Sequence, residues 1–293
     1  MLDVSCQPIM KLIVSDETNR EAADGRFFLM GALVFDADRL GEIHHDVMAI
    51  RQRYGFRPDD SFKYALANKP AHVTKAGFDK AKGDALDLLA ERGVLGFVYL
   101  CHRQICDPRG EQEKFQWGAD GILWPIQRYL QGQSDYAISL QDRHPVEGEF
   151  DYYKRRFAHA AAGKGTHQLS NIVCFGSTCD NASTFSSLAD IFVGSFRFCV
   201  NNPDKDRVCS LLLPKLLGIC HGSPNWLANG IVFRPNEVRR PDLALEYDQV
   251  REHFRAHGST QTAGVVRCAR SDAPACRGHV TKPTNSQLCI YGA

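Results

Sequence analysis

"KLIVSDETNREAADGRFFLMGALVF", residues 11–35, holds two apolar runs of strand length separated by the polar, Gly-containing stretch "DETNREAADG". The runs "KLIVS" and "RFFLMGALVF" read as two strands, and the polar stretch as a turn or short loop, so the segment is expected to form a hairpin. Asp16 and Glu17 stand side by side directly behind the first run. A buried-looking strand that closes on two adjacent acids needs a chemical reason.

Outward from this hairpin the chain changes period. "DADRLGEIHHDVMAIRQRYGF" (36–56) has helical spacing, with Leu40, Ile43, Val47 and Ile50 on one stripe and Asp36 or Asp38 as N-cap. "SFKYALA" (61–67) alternates like a third strand. A repeating order follows: a helix over 71–92, the strand "VLGFVYLC" (94–101), a helix over 114–131 and the strand "DYAISLQD" (135–142). It continues with a helix over 148–161, the strand "LSNIVCFGS" (169–177) and a long helix, "STFSSLADIFVGSFRFCVN" (183–201), entered through Ser183 or Thr184. A hairpin followed by alternating strands and helices predicts an α/β fold, a mixed sheet flanked by helices. Residues 10–202 form the expected core. Residues 203–257 read as a C-terminal helical extension packed on that core, around the short strand "GIVFRP" (230–235). From Gly258 onward the sequence turns to Ser, Thr, Gly, Ala and Pro, with four Lys/Arg against one Asp, and reads as a disordered tail. Residues 1–9, ahead of Met10, read as an extension outside the core.

The 293 residues suffice for one large domain or one domain with an appendage, and the 44% apolar share is that of a globular protein. No run reaches the roughly 18 to 20 apolar residues of a membrane span, and the N-terminus lacks a basic region followed by an apolar stretch, so a cytoplasmic protein without membrane contact is expected. Eleven cysteines in a chain of this length, an odd number, are expected to be reduced and mostly buried. A net charge of +1 decides nothing about nucleic acid, because a basic face can coexist with a cluster of acids.

The acids fall into a pattern. Asp16 and Glu17 close the first strand, Asp142 closes "YAISLQD", and Asp190 interrupts the apolar helix "SLADIFVGSF". Strand ends on an α/β sheet deliver side chains to the crevice where ligands bind. A carboxylate amid apolar neighbours is costly unless compensated, and a hard divalent cation, Mg²⁺ or Mn²⁺, suits an all-oxygen ligand set drawn from several elements. The competing reading pairs Asp190 with Arg197 or leaves it facing solvent.

"SDET" on a first strand, "SFKY" on a third, "SLQDR" at a later strand end and "SLADIF" on a late helix resemble the bacterial and phage domain-of-unknown-function family numbered 3800, which is assigned a ribonuclease H-like fold. The resemblance runs over residues 10–235. Its first motif, commonly Asp-Glu-Ser-Gly, is carried by Asp16, Glu17, Thr18 and Asn19. Its late motif, commonly Leu-Gln-x-Ala-Asp, is carried by Ser186, Ser187, Leu188, Ala189 and Asp190. The acids match, while Ser187 replaces Gln and Asn19 replaces Gly. The resemblance implies a ribonuclease H-like sheet and a metal-dependent nuclease site. Two ions about 3.5 to 4 Å apart would activate water and stabilise the leaving oxygen. Asp16 would bridge them, and Asp142 and Asp190 would each complete one shell. Glu17 joins only where the strand has ended, since neighbours on a strand point to opposite faces. Lys63 would contact a scissile phosphate or orient bound water; the plainer reading is an exposed edge-strand lysine.

Other constellations carry less. Cys101-His102 and Cys220-His221 are neighbours that point apart on a strand, Cys174 and Cys179 lack a second pair at zinc spacing, and "GKG" (163–165) lacks the rest of a phosphate loop. His144 lies near Asp142 in sequence, and "YYKRRF" (152–157) and "RPNEVRRP" (234–241) mix aromatics with cations as phosphate-binding surfaces do. Two functional classes follow: a metal-dependent nuclease on DNA or RNA, and a non-catalytic ribonuclease H-like module binding nucleic acid or a protein partner in a phage or defence system. An ATPase on this fold class would need Gly-rich phosphate loops. Deleting residues 258–293 is expected to leave the thermal unfolding of the remainder cooperative, and insolubility or a broadened transition would reveal a structural element in the tail.

Overall fold

In the computed structural model, which describes residues 8–18, 25–142, 149–159, 169–178, 182–202 and 230–258, the two apolar runs pair as a hairpin. Strand β1 (Met10–Thr18) lies antiparallel to β2 (Phe27–Asp36), and β2 is antiparallel to β3 (Leu95–His102). On the other side of β1, β4 (Tyr136–Asp142) and then β5 (Ile172–Thr178) add in parallel. Strand β6 (Ile231–Arg234) pairs parallel with β3, giving the order β5-β4-β1-β2-β3-β6 in which β2 alone runs against the rest. The mixed sheet flanked by helices is the α/β fold expected, and the run β3-β2-β1-β4-β5 is compatible with a ribonuclease H-like sheet. All described residues lie in one unit, Met1–Gln261.

Seven helices among the described residues flank the sheet: α1 (Leu40–Arg53), α2 (Lys75–Glu91), α3 (Arg103–Cys106), α4 (Glu111–Gln133), α5 (Glu149–His159), α6 (Thr184–Asn201) and α7 (Pro241–Gly258). None is long and apolar enough to cross a membrane. Alternation along the central strands divides the core. Val14, Leu29, Leu33 and Leu100 meet apolar side chains of α1, α2, α6 and α7 on one face. Ile13, Met30, Phe97 and Tyr99 meet those of α4 and α5 on the other. The stripe Ile43, Val47 and Ile50 of α1 is buried as its spacing predicts, and the Ser183 hydroxyl caps α6 by accepting the Ser186 N–H at 3.0 Å.

Three local expectations are corrected. Neither Asp36 nor Asp38 caps α1, whose first residue follows Arg39 without a side-chain cap. Asp36 instead pairs with the buried ammonium of Lys11, which also lies 3.4 Å from Asp135. Burial of Lys11 makes this partner more valuable than a helix cap. "SFKYALA" forms no strand: residues 61–63 are irregular and Leu66–Asn68 is a short 3₁₀ turn. The segment is held by side chains rather than a ladder, since the Phe62 ring packs edge-on to Phe56 and the Tyr64 N–H finds a carboxylate. Cys101 and Cys106 are buried free thiols and Cys174 an exposed one, but Cys199 is disulfide-bonded, contrary to the expectation of reduced thiols throughout.

The contact that sets α6 on the sheet is at Gly31, in the middle of β2. A methyl group there would stand 2.5 Å from Val193 Cγ2 and 3.4 Å from the Phe192 ring. Gly31→Ala is therefore expected to destabilise by about 1–3 kcal/mol, as overpacking does. Val193→Ala should recover part of that loss in the double variant, a coupling that denaturant melts will measure.

Candidate functional site

Parallel pairing of β1 with β4 ends at Ser15 opposite Gln141, so Asp16 and Asp142 follow one residue later at the same level of adjacent strands. Asp16 remains paired with β2 through Gly31, and β1 runs on to Thr18. Asp16 and Glu17 thus stand two and one residues before the end of β1 rather than at it, whereas Asp142 closes β4 as expected. The face matters more than the end. Gly31, opposite Asp16, is the residue against which α6 rests, whereas Met30, opposite Glu17, belongs to the core beneath α4 and α5. Alternation accordingly sends Asp16 to the α6 side with Asp142 and turns Glu17 the other way.

Helix α6 supplies Asp190, one turn before Val193. Its Oδ2 accepts the Tyr64 N–H at 2.5 Å, while the Tyr64 ring fills the space that a side chain at Gly194 would need, 2.3 Å from the ideal Cβ. Lys82 of α2 steadies the same residue. Its ammonium donates to the Tyr64 carbonyl at 3.2 Å, lies 4.7 Å from the ring centroid, and is 3.1 Å from Asp79. Burial, reinforced by Asp79, pushes the Tyr64 hydroxyl up to about 12. Lys63 is half-buried beside Tyr64 in this segment and not on an edge strand.

Asp16 is the electrostatic centre. Burial pushes its carboxyl well above the ordinary carboxylate value, and the negative charges of Glu17, Asp190 and Asp142 push it further. The Glu17 N–H that Asp16 accepts at 2.7 Å acts in the opposite direction. The four acids named from the sequence therefore feel one another through Asp16. As donors, three carboxylates from β1, β4 and α6 suit a hard divalent cation. Among the described residues, however, no group of three His, Cys, Asp or Glu side chains is placed to hold a metal ion as it stands.

No family model matches the chain, and no curated protein is similar to it. What the site can do rests on its own chemistry.

The weaker constellations separate. Cys101 faces the α4 side beside Cys106, whereas the His102 ring meets Phe27 at 5.1 Å and lies 3.3 Å from Glu246 on the other face, so the two do not form a nucleophile–base pair. In "YYKRRF", Tyr152 and Tyr153 are core residues, and Arg156 grips Asp120 with two bonds of 2.7 Å. In "RPNEVRRP", the Arg234 carbonyl accepts the Tyr247 hydroxyl and Arg240 pairs with Asp242. His144, Cys179, Cys220-His221, "GKG" and the residues before 8 and after 258 lie outside the described residues. Tyr64 and Lys82 were not singled out by sequence, and Arg197 only as a salt-bridge partner for Asp190. The signal available for them was a glycine, Gly194, inside the helix that carries Asp190.

A carboxyl whose pKa is raised by folding binds its proton more tightly in the folded chain, so stability increases as pH falls through the raised value and the full penalty is carried above it. Asp16→Asn removes that penalty at neutral pH. It is expected to raise the melting temperature at pH 7, by roughly 2–4 °C per kcal/mol relieved, with the advantage shrinking as the pH is lowered. Equal melting temperatures for both proteins across pH 4–8 would show Asp16 to be unperturbed.

Proposed function

We propose that this protein is a divalent-metal-dependent nuclease, a hydrolase of nucleic-acid phosphodiester bonds, on the ribonuclease H-like plan of the domain-of-unknown-function 3800 family. The observation that carries the reading is the set of carboxylates around Asp16, drawn from β1, β4 and α6, whose charges add to the burial that already pushes its carboxyl up. Such a cluster weakens the fold unless positive charge comes to it.

Asp16, Asp142 and Asp190 would hold Mg²⁺ or Mn²⁺. A bound pair of such ions supplies an activated water and a stabilised leaving oxygen in an in-line displacement. The chain's own residues do the positioning. Asp16 feels the charge of both other acids, the Tyr64 N–H fixes one oxygen of Asp190, and Lys63, next in sequence to Tyr64, is assigned to the scissile phosphate. Glu17, turned to the opposite face, acts on the site through its charge on Asp16.

One observation favours a second reading. The 2.5 Å bond from Tyr64 to Asp190 makes this acid the anchor of residues 61–65, as a purely structural carboxylate would be. The protein would then be a non-catalytic ribonuclease H-like module that binds nucleic acid or a protein partner in a phage or defence system.

Labelled single- and double-stranded DNA and RNA separate the two. Cleavage is expected with Mn²⁺ or Mg²⁺ and not with chelator. Asp16→Asn, Asp142→Asn and Asp190→Asn should each lower it by more than about a hundredfold, the upper end of what losing even an outer-shell partner costs. Cleavage that persists in all three purified variants, or is absent from the wild type with every divalent ion, overturns the nuclease reading.

A further inference from the structure

Helix α6 runs along β2 from Phe35, whose ring meets Phe185 at 5.1 Å, past Gly31 beside Val193, to Gly25 beside Asn201. Because β2 runs against its neighbours, this direction leads toward the carboxyl ends of β1 and β4. Asp190 and Arg197 are seven residues apart on the helix, so they share a face with about 10 Å of axial rise between them. Arg197 is thus the next charged side chain of that face beyond the acids, toward the carboxyl ends of β1 and β4.

Two cations lie over the Tyr64 ring, and they differ. Lys82 is committed to Asp79 and to the Tyr64 carbonyl. The Arg197 guanidinium carbon lies 5.9 Å from the ring centroid, and among the described residues it makes neither an ion pair nor a hydrogen bond. The pairing of Arg197 with Asp190 that the sequence suggested is not formed, and Asp190 accepts the Tyr64 N–H instead. A half-buried guanidinium, positioned by an aromatic ring and left with its donors unmatched, is a preset receptor for an oxyanion.

We infer that Arg197 binds a backbone phosphate of the nucleic-acid strand, neighbouring the phosphate that lies at the carboxylates. The substrate class rests on the nuclease reading; the anion-binding role rests on the guanidinium itself. A polyanion approaching Asp16, Asp142 and Asp190 is repelled by them, and a fixed cation on the same helix face offsets that repulsion and sets the strand's register. The Tyr64 ring keeps the guanidinium in place between binding events, so less freedom is lost when the phosphate arrives.

Binding is measured by fluorescence anisotropy of a fluorescein-labelled single-stranded oligodeoxynucleotide in chelator, where no cleavage occurs, over a range of salt concentrations. Arg197→Ala is expected to weaken binding about tenfold, the lower end for a hydrogen bond to a charged group. The slope of log K against log salt should fall by about 0.7, the loss of one phosphate contact on a single strand. Arg197→Lys should keep the slope and lose less affinity. Arg128→Ala, which removes an exposed arginine on α4 over the opposite face, should change neither. Arg197→Gln, which keeps the stem over the ring, replaces the alanine variant if that one does not fold. Wild-type affinity and slope in Arg197→Ala, or an equal loss in Arg128→Ala, overturns the assignment even if the wild type cleaves with Mn²⁺. A reduced slope in Arg197→Ala with no cleavage under any divalent ion upholds Arg197 and overturns the nuclease reading. A wild type that binds no oligonucleotide overturns both.

Discussion

Gly31 has no side chain, and the candidate site follows from that. The bare backbone at the centre of β2 lets α6 lie directly on the sheet, with Val193 occupying the place a methyl group would take. One turn earlier on the helix, Asp190 is brought into the field of Asp16, whose strand is paired with β2 at Gly31 itself. Gly194 repeats the arrangement on the outer side of α6, where it admits the Tyr64 ring and so brings the Tyr64 N–H to Asp190. Glycine weakens both strand and helix interiors. Here its cost is offset by two close packings that a larger residue would prevent.

Charge balance separates this site from the other buried polar groups. Lys11 is matched by Asp36 and Asp135, Arg156 by Asp120 with the Tyr152 hydroxyl alongside, and Lys114 by Asp107 and Glu111. Each of these brings opposite charges together, the arrangement that makes burial of charge tolerable. Around Asp16 the strongest charged neighbours are carboxylates instead. Such an arrangement opposes folding, and the framework of paired charges elsewhere carries its cost.

Much of this was visible in the chain. The apolar runs of β1, β2 and β3, the stripe of α1 and the Ser183 cap of α6 follow from local periodicity and capping chemistry, which depend on residues a few positions apart. Asp16, Asp142 and Asp190 stood out because charges behind or within apolar runs are expensive. "SFKYALA" misled because alternation describes a residue's two faces and not whether a neighbouring strand is there to pair with. Phe62 and Tyr64 found a ring and a carboxylate instead. Asp36 misled for a similar reason: its position before a helix is local, whereas the buried Lys11 that claims it is 25 residues away.

The sequence by itself determined the α/β alternation, the hairpin start and the identity of the acids, since each depends on local hydrophobic period or on the cost of an isolated charge. The tertiary structure decided the strand register that sets Asp16 level with Asp142, and the face that separates Asp16 from Glu17. It also decided the exchange in which Tyr64, rather than Arg197, takes Asp190. Those outcomes depend on which distant groups packing brings within hydrogen-bond or Coulomb range. A spacing of seven residues puts two side chains on one face of a helix but two turns apart, and does not by itself bring them into contact.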